Sequence, residues 1–155
     1  HSELYDVEKF IKGEKGLLPV IKEEISESIK NKDVLHLHCH FGMDSVSLIR
    51  EGASSVTGVD FSPEAIKYAN EIKKQLRLSN LDFVECNVLE LDKHLNKKYD
   101  MVFATLGVIT WIGDLNKWMQ VVSTFLKDNG ILYLMDYHPF AATFAHGPGV
   151  NELKI

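Results

Sequence analysis

The sequence predicts an α/β fold in which a mostly parallel sheet is covered by helices on both faces, a Rossmann-like three-layer sandwich. Short apolar runs alternate with amphipathic stretches along the chain, and such alternation implies right-handed crossovers between parallel strands. The 155 residues, 45% of them hydrophobic, are enough for one domain (1–155) with a sizeable core. No repeat, low-complexity tract or linker divides them.

The first half of the chain alternates helix and strand. Residues 17–30 place apolar side chains at helical spacing, which predicts an amphipathic helix ahead of the first strand. VLHL, residues 34–37, has the length and apolar character of a buried strand. Residues 43–51 are predicted as a helix that Gly52 ends. SVTGVD, residues 55–60, is rich in β-branched residues and is predicted as the second strand.

The second half continues this alternation. Ser62 and Pro63 open the next helix as its N-cap and first helical residue. The three strands that follow are apolar or β-branched runs, and the pair Asn129-Gly130 turns the chain into the last of them. The remaining predicted elements are strands over 81–85, 99–106 and 131–137 and a helix over 115–127.

The charge, apolar runs and cysteine count of the sequence limit the kinds of molecule and compartment expected for it. The net charge is -5, from 17 basic and 22 acidic residues, so a nucleic-acid partner is not expected. The densest basic stretch, Lys67 to Arg77, alternates with apolar residues and is interpreted as the solvated face of a helix. No apolar run is long enough for a membrane span, and no signal-peptide pattern is present. Two cysteines are too few for a disulfide scaffold, which favours the cytoplasm, and the acidic pI favours a small-molecule substrate.

Residues 36–44, HLHCHFGMD, raise the question of a metal site. Alternate residues of a strand share a face, so the three histidines would lie together if the strand continued through them. However, the apolar run ends at Leu37, and Phe41-Gly42 leads directly into a helix. The later histidines are therefore expected on a turn, and no metal site is predicted.

The spacing around the same turn indicates a nucleotide-binding βαβ unit. A strand, a tight turn with Gly42, a helix and a second strand ending in Asp60 follow one another. Asp60 lies eighteen positions beyond Gly42, close to the ~20 typical of a carboxylate that binds ribose hydroxyls. The ligand is expected at the carboxyl ends of the strands, near the point where strand order reverses.

These motifs resemble those of the class I S-adenosylmethionine-dependent methyltransferases. VLHLHCHFG stands in the frame of their first motif, VLDLGCGTG, and VTGVDFSPEAIKYA resembles their second. The stretch from YDMVFATL to MDYHPF resembles the fourth strand, the following helix and the fifth strand, so the resemblance covers about residues 33–139. It is closest to a bacterial-type subgroup whose first motif reads like LHLQCHFGxD.

The resemblance implies S-adenosylmethionine as cofactor and S-adenosylhomocysteine as product. Asp60 would bind the ribose hydroxyls, Phe61 would lie against the adenine, and the Asn87 carbonyl would accept a bond from the adenine amino group. The backbone N–H of Val88 would meet the ring. The full set of cofactor-binding residues implied is His36, His38, Cys39, His40, Gly42, Asp60, Phe61, Ser62, Asn87, Val88, Thr105 and Gly107.

Two departures from the family's pattern concern histidines. His36 takes the acidic position, which removes a usual partner of the methionyl end of the cofactor. His38 and His40 take two glycine positions, which removes easy access to positive φ and places rings where the ligand would approach the backbone.

Several side chains have a structural alternative. Phe61 would instead be a core residue, and Asn87 an ordinary turn residue. Trp111 would either line the substrate pocket or belong to the core. Trp118 is expected in the core. Cys86 is interpreted as a small buried apolar residue. His138 is a candidate general base, and a structural role is the favoured interpretation. No catalytic residue is assigned, because methyl transfer from a sulfonium needs mainly positioning.

The predicted function is a methyltransferase acting on a small molecule. The alternatives are a module of the same fold that binds the cofactor without turnover and an NAD-linked oxidoreductase. Five strands are predicted against seven in the family, and residues 138–155 show no pattern for two more, so the chain is expected to be incomplete at its C-terminus. Oligomeric state is not predicted.

Overall fold

The computed structural model describes residues 7–13 and 16–138. Its elements, in chain order, are α1 (Val7–Ile11), α2 (Pro19–Ile25), β1 (Asp33–Leu37), α3 (Met43–Arg50), β2 (Ser55–Asp60), α4 (Pro63–Leu76), β3 (Leu81–Glu85), a 3-10 helix (Val88–Lys93), β4 (Tyr99–Thr105), a 3-10 turn (Ile109–Trp111), α5 (Leu115–Phe125) and β5 (Leu126–Met135). None of the helices in these ranges has the length and apolar character needed to cross a bilayer.

The five strands form one sheet in the order β3-β2-β1-β4-β5, and every described pairing is parallel. The predicted α/β class is confirmed. β1 is central, and chain order reverses there, because β2 and β3 lie on one side of it and β4 and β5 on the other. The carboxyl ends of β1, β2 and β4 therefore face the crevice where open parallel sheets bind ligands.

Two separate apolar clusters cover the faces of the sheet. One joins α2, α3 and α4 to the sheet through residues such as Ile21, Ile25 and Ile72. The other joins α5 to the opposite face, with Trp118 and Phe125 fully or almost fully buried. Alternation along β1 sends Val34 and Leu35 to different clusters, as a strand buried on both faces requires.

The helix predicted over 17–30 is shorter in the structure. α2 ends at Ile25, and residues 26–31 form turns, although Ile29 stays fully buried. The Ser26 and Ser28 hydroxyls donate to the carbonyls of Glu23 (2.9 Å) and Ile25 (3.2 Å). Hydroxyls that bond nearby backbone compete with helix continuation, which explains the early end.

The last predicted elements also have different bounds. α5 ends at Phe125 rather than 127, and β5 runs over Leu126–Met135 rather than 131–137. Leu126 pairs with Tyr99, but the next pair joins Ile131 to Met101, so the Asn129-Gly130 turn lies inside the strand as an irregularity. The backbone already pairs with β4 before that turn. The apolar run in the sequence begins only after the turn, so it does not predict this earlier pairing.

Candidate functional site

A cavity of about 600 Å³ opens at the carboxyl ends of β1, β2 and β4. Its size is in the range typical of small-molecule sites. Of the twelve residues predicted to bind a cofactor, eight line it: His36, His38, Cys39, His40, Asp60, Phe61, Thr105 and Gly107. Gly42 and Ser62 belong to the turns beside it, whereas Asn87 and Val88 follow β3 and are not among the lining residues.

Asp60 ends β2 and ties two turns together. Its side chain is buried, with Oδ2 accepting the backbone N–H of His40 (2.9 Å) and Oδ1 accepting that of Ser62 (3.0 Å). Each carboxylate oxygen has a further lone pair, so a ligand hydroxyl can still bind. The Ser62 hydroxyl accepts the N–H of Ala65 at 3.2 Å, which confirms Ser62 as the N-cap of α4.

The turn after β1 contains three residues in the left-handed region. His38 has φ +58°, His40 +50° and Gly42 +71°. The turn therefore reaches positive φ at two of these positions without glycine, and histidine is one of the side chains that visit this region more often than most. At Gly42 no side chain fits, because a Cβ would come within 2.5 Å of the Phe83 ring.

His36 occupies the interior beneath this turn. It is 3% exposed, its Nδ1 lies 2.7 Å from Ser45 Oγ, and its ring meets Phe103 edge to face. Burial, with a smaller contribution from neighbouring His38, lowers the pKa of His36 to about 3. The imidazole is therefore neutral near pH 7, and this position contributes no charge to the cavity.

His38 forms a hydrogen bond with Trp118, which belongs to the apolar cluster beside α5. The indole N–H of Trp118 donates to His38 Nε2 at 3.2 Å. An indole nitrogen can only donate, so Nε2 is unprotonated and the proton of the neutral ring is on Nδ1. Burial lowers the pKa of His38 against the opposing effect of the Asp60 carboxylate, which favours this neutral form. Trp118 is fully buried, as predicted.

The histidines are not arranged as a metal centre. β1 ends at Leu37, so the alternation that would align the three rings stops before His38. Nε2 of His38 is engaged by Trp118 and Nδ1 of His36 by Ser45. Across residues 7–13 and 16–138, no cluster of three or more histidine, cysteine or acidic side chains is placed to hold a metal ion.

Both cysteines are buried and their thiols are protonated. Burial raises the pKa of Cys39, which is 4% exposed, and also that of Cys86, which is 8% exposed. Thiols in such surroundings are poor nucleophiles. The interpretation of Cys86 as a small apolar residue agrees with its place in the cluster beside α5.

Asp44 also lines the cavity and is not among the twelve predicted residues. It lies in the first turn of α3 and is partly buried. Burial raises the pKa of its carboxyl, while a hydrogen bond with the Thr105 side chain acts in the opposite direction. The signal was present in the sequence, since Asp44 aligns with the acid of the LHLQCHFGxD pattern. Phe10 and Gly16 line the cavity as well, and no sequence motif pointed to them.

Two aromatic rings stand at the rim. Phe61 is 72% exposed and Trp111 is 89% exposed, and both line the cavity. Neither is a core residue, so the structural alternative considered for each is wrong. The loop that carries Trp111 is fixed by Asp136, whose Oδ2 accepts the N–H of Ile109 at 2.7 Å.

The other predicted residues lie nearby. Asn87 Oδ1 accepts the N–H of Leu89 at 3.0 Å and caps the 3-10 helix, so its carbonyl has a local role. Val88 is buried. Gly107 has φ +94° directly after β4, as a close turn requires. His138 is exposed and does not line the cavity; Pro139 lies outside the described residues.

Comparison with known proteins finds similarity to methyltransferases. A family model described as a methyltransferase domain matches residues 28–149. Release factor glutamine methyltransferase of Fusobacterium nucleatum is 32% identical over 81 residues, 51% of this chain and 22% of its own length. Ribosomal RNA small subunit methyltransferase D of Buchnera aphidicola is 23% identical over 119 residues, 74% of this chain and 61% of its own. The chain thus spans less than two thirds of the length of these relatives.

A structural comparison supports the fold. Coclaurine N-methyltransferase bound to N-methylheliamine and S-adenosylhomocysteine superposes with a TM-score of 0.64 at 17% identity, covering 74% of this chain and 34% of that one. At this identity the match concerns the fold alone. It agrees with the α/β fold observed here.

Proposed function

The chain belongs to the methyltransferase-domain family, and on that premise we propose that it binds S-adenosylmethionine in the cavity above β1 and transfers the methyl group to an acceptor. The observation that carries the proposal is Asp60, a buried carboxylate held by two backbone N–H groups at the end of β2. Such a carboxylate accepts ribose hydroxyls in nucleotide-binding βαβ units. We also propose membership of the subgroup with an LHLxCHFG-like first motif.

The residues present suit an adenosine ligand. With the ribose on Asp60, the exposed ring of Phe61 offers a face to the adenine. Asn87 and Val88 would meet the adenine edge, although Asn87 would share its carbonyl with the Leu89 N–H. The β1 turn, with Gly42 at its end, would run beside the ribose. Thr105 and Gly107 would flank the methionyl end after β4.

When bound, S-adenosylmethionine supplies an electrophilic methyl group, and in-line displacement leaves S-adenosylhomocysteine. The chain's own contribution is to hold the adenosine, exclude water and leave one approach open. That approach lies at the rim, where Trp111 offers an apolar face to the acceptor. We assign no catalytic base, and His138 lies outside the cavity lining.

We propose a small-molecule acceptor, because the chain is acidic, with a net charge of -5. The exclusion of nucleic acid made from composition is not supported, since the relatives include an RNA methyltransferase and a protein glutamine methyltransferase. Transfer of a labelled methyl group to small amines, a glutamine-containing peptide and RNA compares the three classes. Labelling of RNA or of the peptide alone would overturn the small-molecule assignment.

Calorimetric titration tests the cofactor. S-adenosylmethionine or S-adenosylhomocysteine is expected to bind and NAD is not, and Asp60→Asn is expected to weaken binding ten-fold or more. Ten-fold is ~1.4 kcal/mol, a modest demand for a charge-assisted hydrogen bond. Asp128→Asn, at an exposed position of β5, is the matched control and should bind like wild type. Binding of NAD alone would indicate the oxidoreductase alternative, and binding without transfer to any acceptor the non-catalytic one.

A further inference from the structure

The described lining of the cavity holds two carboxylates and no lysine or arginine. Asp44 and Asp60 are its acidic residues. The buried His36 is neutral near pH 7, and the pKa of His38 is lowered by burial, so neither supplies a compensating positive charge. Charges taken out of water are stabilised by partners of opposite sign. A cavity of this composition therefore favours a cationic group on its ligand.

The two carboxylates differ in how the protein compensates them. Asp60 accepts backbone N–H groups from both neighbouring turns. Asp44 has the Thr105 side chain as its hydrogen-bond partner, and no described ion pair includes it. Burial raises the pKa of Asp44, as expected for a carboxylate with incomplete compensation. Of the two, Asp44 would gain more from a ligand cation.

Asp44 and Asp60 also lie in different parts of the cavity. Asp60 ends β2, on one side of β1, whereas Asp44 begins α3 and bonds Thr105 at the end of β4, on the other side. A ligand whose ribose binds Asp60 can extend across the end of β1 towards Asp44. In S-adenosylmethionine, the part that extends from the ribose ends in an α-amino acid group.

We propose that Asp44 binds the α-ammonium group of the cofactor, in place of an acid at position 36. This inference rests on the proposed function and names a binding residue of that same site. Neutral His36, held against Ser45, leaves this part of the cavity without a charge from β1. The charge comes instead from the first turn of α3, eight positions later, and Thr105 orients it.

The experiment compares two ligands that differ in the amino acid group. S-adenosylhomocysteine carries it, and 5′-methylthioadenosine keeps the adenosine and the thioether sulfur without it. Asp44→Asn removes the charge with little change in shape and preserves an oxygen for Thr105. We expect this variant to bind S-adenosylhomocysteine at least ten-fold more weakly than wild type and 5′-methylthioadenosine within two-fold. Asp60→Asn, in contrast, should weaken both ligands to a similar extent.

Three results would overturn the proposal. An equal loss of both ligands in Asp44→Asn would show a general structural effect. Unchanged affinity for S-adenosylhomocysteine combined with slower methyl transfer would show that Asp44 acts on the acceptor, as a base. If wild type binds neither ligand, the proposed function fails and this inference fails with it. That case is recognised by the wild-type titration alone, before any variant is compared.

Discussion

The turns after β1 and β2 lie side by side at the cavity and are built in different ways. The β2 turn depends on side-chain hydrogen bonds: Asp60 accepts the Ser62 N–H, and Ser62 caps α4 from an extended conformation. The β1 turn depends on backbone shape, with left-handed residues at His38, His40 and Gly42. The β2 turn is specified by polar side-chain atoms, and the β1 turn by left-handed backbone and, at Gly42, by the space that Phe83 occupies.

The difference teaches which part of a glycine motif is indispensable. A non-glycine residue in the left-handed region destabilises the fold by about 1 kcal/mol. Hydrogen bonds accompany this conformation at both histidines. His38 accepts the Trp118 N–H, and the backbone N–H of His40 is bound by Asp60. Gly42 has no such option, because Phe83 occupies the space where its side chain would lie.

The largest expected effect is therefore at Gly42. Gly42→Ala should lower the free energy of unfolding by about 3 kcal/mol, from about 1 kcal/mol for left-handed backbone and about 2 kcal/mol for the collision with Phe83. Urea unfolding at neutral pH measures it. Gly13→Ala is the control, since Gly13 has φ +84° and nothing within 4 Å of an added Cβ. That variant should lose only about 1 kcal/mol. Equal losses would mean that φ alone selects glycine at the turn.

The contrast between the turns also explains what the sequence could predict. Asp60, Ser62 and the end of β1 follow from local rules, namely a capping hydroxyl, a carboxylate at the usual spacing and an apolar run that stops. His38 accepts a hydrogen bond from Trp118, eighty positions away, and no local pattern encodes that contact. Asp44 matches the acid of the LHLQCHFGxD pattern, but its burial in the cavity wall and its bond with Thr105 are tertiary properties that the pattern alone does not reveal.

An intermediate effect, on the pH dependence of the free energy of unfolding, is expected from His36. The unfolded chain protonates this residue near pH 6.5, whereas the folded chain does so only near pH 3. Between these values the unfolded state binds more protons, so stability falls on acidification. From pH 7.5 to 5.5, His36 should account for a loss of about 1.4 kcal/mol in the free energy of unfolding.

His36→Asn isolates that contribution. The variant keeps a polar atom near Ser45 but does not titrate, so its stability should fall by about 1.4 kcal/mol less than that of wild type over the same interval. Effects of His38 and of the carboxylates are present in both proteins and cancel in the comparison. Urea unfolding at the two pH values measures it, and parallel losses would show that His36 is protonated in the folded chain.

The smallest expected effect concerns the hydrogen bond from Trp118 to His38, the histidine at a glycine position of the family's first motif. In a double-mutant cycle, His38→Ala and Trp118→Phe should show a coupling energy of about 1 kcal/mol, the usual contribution of a partly buried hydrogen bond. Trp118→Phe combined with Tyr68→Ala, on α4 in the other helical layer, should be additive within about 0.5 kcal/mol. A coupling of zero would mean that His38 tolerates its left-handed backbone without Trp118. Asp60 would then be the side chain that holds the β1 turn, beside the backbone bonds of Cys39 and Gly42, and both turns would depend on the same carboxylate.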